Sequence, residues 1–207
     1  MKKEIKKFFE RFWFLIWKDD SWKGWITSII VLFVFIKWIF FPLLSLATGT
    51  ILPLAIVESC SMYHDNGIIH NYESWWDYKE SNYDDFSINK ENFSNFIFKN
   101  GFNKGDVLFI VGANPDKLKV GDIIIFQAPT TNPVIHRIVN IKEENGEKIF
   151  STIGDNNPRQ IDFEKEILEE QLVGKAILKV IPYAGWVKLI FYEGFRENNQ
   201  KGLCEIN

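Results

Sequence analysis

Residues 26–47, Ile26 to Ala47, form one nearly unbroken apolar run, and no other feature limits the fold so strongly. A helix over this run is roughly 30 Å long, about the thickness of a bilayer's hydrocarbon core. The run predicts a transmembrane helix. It is too long, and starts too far into the chain, for an ordinary cleaved signal peptide. Lys2, Lys3, Lys6, Lys7, Arg11, Lys18 and Lys23 precede it, against Glu4, Glu10, Asp19 and Asp20. That excess sets the expected topology: N-terminus in the cytoplasm, residues 48–207 across the membrane. Pro42 falls in the last third, where a kink is tolerated. Lys37 lies near the middle of the span, where a charge costs about 2.5 kcal/mol or more. It either meets a carboxylate or carbonyl of a partner helix, or snorkels from a single tilted helix.

Residues 1–25 read as a cytoplasmic amphipathic segment. Phe8, Phe9, Phe12, Trp13, Ile16 and Trp17 recur at helical spacing, while Lys3, Lys6, Lys7, Glu10 and Arg11 fill the other face. A helix with a basic polar side suits an anionic leaflet, and packing on a partner is the alternative. The net charge of -3 and an isoelectric point near 5.7 give no basis for nucleic acid as a partner. Cys60 and Cys204 are too few for a disulfide framework and lack metal-type spacing, and three histidines give little support for zinc. Neither metal nor cofactor is expected.

From residue 48 to 207 the text changes to short β-rich runs between turns. Gly105-Asp106 opens the run to Ile110, and Gly121-Asp122 opens the run to Phe126. Ala113 to Asp116 reads as a turn. Val134 to Lys142 and Lys148 to Ile153 read as strands joined by a hairpin with an Asn145-Gly146 turn, and Leu172 to Ile181 as a long final strand. Strands this dense predict a mainly β, antiparallel domain behind one membrane helix. Residues 65–103 interrupt it as an insertion carrying Tyr72, Trp75, Trp76, Tyr78, Tyr83 and Phe86 among acidic residues, with a short helix expected over Glu91 to Lys99. A self-packed surface loop is the expectation, a lid or interfacial flap the alternative. Asn92-Phe93-Ser94 is an N-glycosylation sequon. The tail from Tyr183 to Phe195 is too short to span and is expected to pack on the domain or rest on the membrane.

Three stretches carry the chemistry. Ser59 and Ser61 follow the apolar run Leu54 to Val57; two residues apart on an extended chain, their hydroxyls share a face. One can attack a carbonyl while the other donates to the resulting oxyanion. His136 lies in the strand Val134 to Val139, and Asp155 follows in Gly154-Asp155-Asn156-Asn157. An imidazole, with a pKa of about 6.5 in water, can accept a serine proton at neutral pH. Serine, histidine and aspartate are the parts of an acyl-transfer site, although each also occurs singly as a plain loop or core residue.

These stretches, with Gly121-Asp122-Ile123-Ile124 and one anchor ahead of them, resemble the type I signal peptidases of the archaeal and endoplasmic-reticulum branch over roughly residues 26–190. The resemblance implies a membrane-bound serine endopeptidase with a signal peptidase-like β-fold. Its substrates would be signal peptides of translocated preproteins, its surroundings the lipid bilayer, and the translocation machinery a further partner. Ser61 would be the nucleophile, and its N–H with the Ser59 hydroxyl the oxyanion hole. His136 stands where the bacterial branch has lysine. The substrate would add as a β-strand. Three departures stand out. His64 replaces the usual proline, the 65–103 insertion is long, and Asp162 follows Asp155 by seven residues rather than six. Asp162 is the expected orienter of His136, with Asp155 the alternative and a turn-shaping residue. A catalytically silent membrane-anchored scaffold of a secretion complex is the competing function, and retention of Ser61, His136 and both aspartates speaks against it.

Overall fold

Short apolar runs behind Gly-Asp turns do become strands. The computed structural model describes residues 2–64, 72–196 and 201–204. Residues 65–71 of the insertion, and the side chains of Phe8 and Phe9 on the expected apolar face, lie outside the described residues. The chain divides into two compact units, Met1–Ala47 and Thr48–Asn207.

In the first unit a helix covers Lys2–Trp17 and leaves Trp13, Phe14 and Trp17 exposed. Ser21 caps the next helix, its hydroxyl accepting from the Gly24 N–H at 3.3 Å. Helix then runs over Trp22–Thr48, 27 residues, long and apolar enough to cross a membrane. It widens to a π-turn over Ile36–Phe40, where the Phe41 N–H reaches back to the Ile36 carbonyl. Pro42 has no N–H to offer Trp38, and the wide turn sits just before it. Lys37 lies in this turn, its ammonium 5.3 Å from the Trp38 ring centroid and 5.9 Å from that of Phe33.

The second unit is a six-stranded sheet: β1 Leu54–Ile56, β2 Val107–Val111, β3 Ile123–Phe126, β4 Val134–Glu144, β5 Glu147–Ile153 and β6 Leu172–Ile181. Their order is β1-β2-β6-β3-β4-β5, every neighbour antiparallel. β3 is buried on both faces, which its unbroken Ile-Ile-Ile-Phe run requires. Strand alternation sends Ile123 and Ile125 into a core with Met62, Leu108, Ile110 and Ala176. Ile124 and Phe126 enter a second core with Ile138, Phe150 and Ile167. Asn145 and Gly146 both take positive φ, 56° and 86°, as a type I′ hairpin turn demands.

The insertion departs from the surface loop expected of it. Helices over Tyr72–Lys79, Ser81–Asp84 and Lys90–Ser94 bury Trp75, Trp76, Tyr83 and Phe93 against Val139 and Ile153 of the sheet. This is a third core, aromatic and continuous with the domain. The last of these helices is shorter than expected, because Asn95 ends it.

Candidate active site

The serine loop follows β1 and is bent rather than extended, a correction to the strand geometry expected there. The Ser59 and Ser61 hydroxyl oxygens still lie 3.1 Å apart. Met62 anchors the loop by burying in the core, and its carbonyl accepts from the Phe102 N–H at 2.8 Å. Asn156 holds it from the other side. Its N–H donates to the Ser61 carbonyl at 2.7 Å, and its side-chain amide to the Cys60 carbonyl at 3.1 Å.

His136 projects from β4 with Nε2 2.9 Å from the Ser61 hydroxyl oxygen. Its Nδ1 meets Oε1 of Glu164, and neither atom has another hydrogen-bond partner among the described residues. Glu164 is fully buried at the end of a 3₁₀ turn over Asp162–Glu164, its Oε2 accepting from the Ile161 N–H at 2.7 Å. A carboxylate on Nδ1–H leaves the Nε2 lone pair facing the serine hydroxyl, the tautomer a base requires. Gly154 completes the pocket: a Cβ there would stand 2.8 Å from His136 Nε2.

Over 98 residues the chain is 33% identical to the signal peptidase complex catalytic subunit SEC11C of Homo sapiens, covering 43% of this chain and 50% of that protein. SEC11C of Mus musculus gives the same figures. The signal peptidase complex catalytic subunit SEC11 of Candida tropicalis is 28% identical over 99 residues, 44% of this chain and 58% of that protein. The chain is a relative of the signal peptidase complex catalytic subunits. It spans about half the length of the SEC11C relatives it matches, and no family model matches it.

In this signal peptidase relative neither expected aspartate reaches the imidazole. Asp162 is exposed and paired with Lys165 at 2.7 Å. A turn of three residues sends positions two apart to different sides, so Glu164 faces inward while Asp162 faces water. Nothing in the spacing singled out Glu164. Its one sequence mark is a carboxylate among Ile161, Phe163 and Ile167.

Asp155 is buried on the opposite side of β4, with Arg137. Arg137 donates to it from Nε at 2.9 Å and Nη2 at 2.7 Å, His64 Nε2 lies at 2.8 Å, and the Tyr83 hydroxyl donates at 2.8 Å. Burial opposes ionisation of Asp155, but the Arg137 charge and the His64 bond outweigh it and hold the carboxyl below its usual range. Burial lowers the His64 pKa, against the raising effect of Asp155. The His64 ring stacks on Trp75 with centroids 3.6 Å apart. His64 therefore joins the insertion to the Gly154–Asn157 turn and stands outside the reacting group.

Ser59, Ser61 and His136 open onto a cleft of about 800 Å³ that runs beside β1, an edge strand that among the described residues pairs only with β2. Leu54, Ile56, Pro133 and Ile135 give it apolar walls. Sequence reading passed over one further contact: Cys60, between Ser59 and Ser61, forms a disulfide with Cys204, 144 residues away.

Proposed function

We propose that this chain is a membrane-anchored serine endopeptidase that removes signal peptides from translocated preproteins. The observation that carries the reading is the alignment of Ser61, His136 and Glu164 at the wall of a cleft along an unpaired strand edge. A peptide laid on β1 adds a strand through main-chain hydrogen bonds and seats alternate side chains against the apolar walls. Ser61 Oγ attacks the scissile carbonyl and passes its proton to His136 Nε2. The Ser61 N–H and the Ser59 hydroxyl donate to the oxyanion, and the imidazolium then protonates the leaving amine. Water repeats the sequence on the acyl-serine. Glu164 orients the imidazole throughout and stabilises its charged form.

The apolar helix and the basic residues before it support a single span, with the N-terminus cytoplasmic and the β-domain on the far face of the cell or endoplasmic-reticulum membrane. There the domain meets its substrates, the bilayer and the translocation machinery. The test is cleavage of a preprotein by the full chain in detergent, alongside the same protein lacking its signal peptide. Ser61→Ala and His136→Ala should each abolish cleavage, and the double variant should be little worse than either. Substantial cleavage by Ser61→Ala would refute the reading.

A further inference from the structure

Residues 193–196 and 201–204 attach to the rest of the domain at three places. Lys104, almost wholly buried, donates to the Glu193 carboxylate at 2.6 Å and to the Gly202 carbonyl at 3.1 Å. The Gly202 N–H returns to the same carboxylate at 2.7 Å, so Gly202 and Glu193 share one lysine–glutamate pair. Arg196 donates from Nη1 to the Glu58 main-chain carbonyl at 2.9 Å, and from Nη2 to the Glu58 carboxylate at 3.1 Å. Cys204 is bonded to Cys60.

The second and third attachments fall on Glu58 and Cys60, the two neighbours of Ser59. Upstream, Val57 is held by β2-side main chain, its N–H donating to the Asp106 carbonyl at 2.9 Å. Downstream, Asn156 holds Ser61. Ser59 is exposed between them, in a bend that belongs to no strand.

We infer that residues 193–196 and 201–204 act as a strap that positions the oxyanion side of the site, and that the Cys60–Cys204 bond makes this positioning depend on thiol oxidation. The inference rests on the peptidase reading of Ser59 and Ser61. Closure oxidises both thiols. Each Sγ gives up its hydrogen, the Sγ–Sγ bond forms, and two electrons and two protons pass to the disulfide of an oxidised dithiol, which leaves reduced. Thiols on the cytoplasmic side stay reduced. A newly made chain therefore completes its site only once the domain lies across the membrane. Both cysteines are partly exposed, so an exchange partner can reach them. Arg196 and Cys204 are positioning residues here, because they act on Ser59 through its neighbours.

The experiment uses the full chain in detergent, before and after reduction with dithiothreitol, and follows preprotein cleavage together with amide hydrogen exchange over residues 57–64. Reduction should lower kcat toward the roughly 10²-fold loss of a missing oxyanion donor, with KM nearly unchanged. It should speed exchange at Ser59, Cys60 and Ser61 without unfolding β2 to β6, and reoxidation should restore both. Cys204→Ser should match the reduced protein and no longer respond to reductant, while Arg196→Lys should retain more activity than Arg196→Ala. Unchanged kcat and unchanged exchange on reduction of the wild-type chain would overturn the strap inference. Exchange that responds in a chain cleaving no preprotein would support the strap and refute the peptidase reading instead.

Discussion

His136 and Arg137 are consecutive on β4 and project to opposite faces of the sheet, the first to Ser61 and the second to Asp155. Strand alternation thus separates two carboxylates that the chain brings close in sequence. Glu164 serves the histidine face. Asp155 serves the arginine face, where Arg137, His64 and Tyr83 occupy both its oxygens.

Exchanging carboxylate for amide at each position separates the roles. Glu164→Gln keeps shape but disfavours the tautomer with Nδ1–H, and cleavage should fall by up to about 10⁴, as in the serine-protease template. Asp162→Asn removes only an exposed pair with Lys165 and should cleave within about twofold of wild type. Single-turnover preprotein cleavage at neutral pH reads both. A Glu164→Gln protein with normal turnover would remove Glu164 from the mechanism.

Asp155→Asn should act first on stability. It leaves the fully buried Arg137 guanidinium without its counter-charge, and breaking a buried pair from one side costs about 3–5 kcal/mol. Denaturant unfolding should show a loss of that order, with activity falling as the folded population falls. An Asp155→Asn chain of wild-type stability and no activity would return Asp155 to the site.

The same cluster should make stability fall in acid. His64 keeps a pKa below the ordinary 6.5 in the folded chain, because burial disfavours its charge. An unfolded chain then binds more protons as pH drops below 6.5, so stability is complete above that value and declines beneath it. Asp155, also lowered, adds a second decline below its ordinary 3.8. Charged and titratable neighbours of His64 in this cluster are Asp155, Arg137 and Tyr83. Urea midpoints between pH 7 and 5 should fall for the wild type and stay flatter for His64→Asn. Equal slopes in both would show that His64 is not the responding group.

How far this molecule can be read from its sequence depends on the range of each signal. β3 and the Asn145-Gly146 hairpin rest on local chemistry, an apolar run behind a turn and two residues tolerant of positive φ, and both are legible. The spanning helix is legible for the same reason. Ser59, Ser61 and His136 were marked by short motifs, but their distances depend on Asn156 and Gly154, which alternation and composition do not reveal. Glu164 was hidden because spacing from Asp155 says nothing about which side of a 3₁₀ turn faces inward. The aromatic core of the insertion was hidden because Trp75, Trp76, Tyr83 and Phe93 come from three short helices and share no single period. The Cys60–Cys204 contact spans 144 residues and leaves no local trace.

Gly154 offers the sharpest separation of geometry from stability. Its backbone does not require positive φ, so alanine brings no conformational penalty of that kind. The added Cβ would stand 2.8 Å from His136 Nε2 and 2.7 Å from the Asn157 amide nitrogen. The Asn157 side chain is only partly buried and can rotate aside, but Nε2 faces the Ser61 hydroxyl and, in the proposed mechanism, would take its proton. Relief therefore comes from tilting the imidazole, which lengthens the 2.9 Å contact with Ser61. A misplacement of about 1 Å costs on the order of 10² in rate. Gly154→Ala should accordingly lose about that factor in kcat while its unfolding free energy stays within about 1–3 kcal/mol of wild type, the range of a tolerated overpacking. Raising the pH should not rescue it, because the defect is position rather than protonation. Wild-type kcat in Gly154→Ala would show that the imidazole has room to spare, and that the Ser61–His136 contact is not set by this turn.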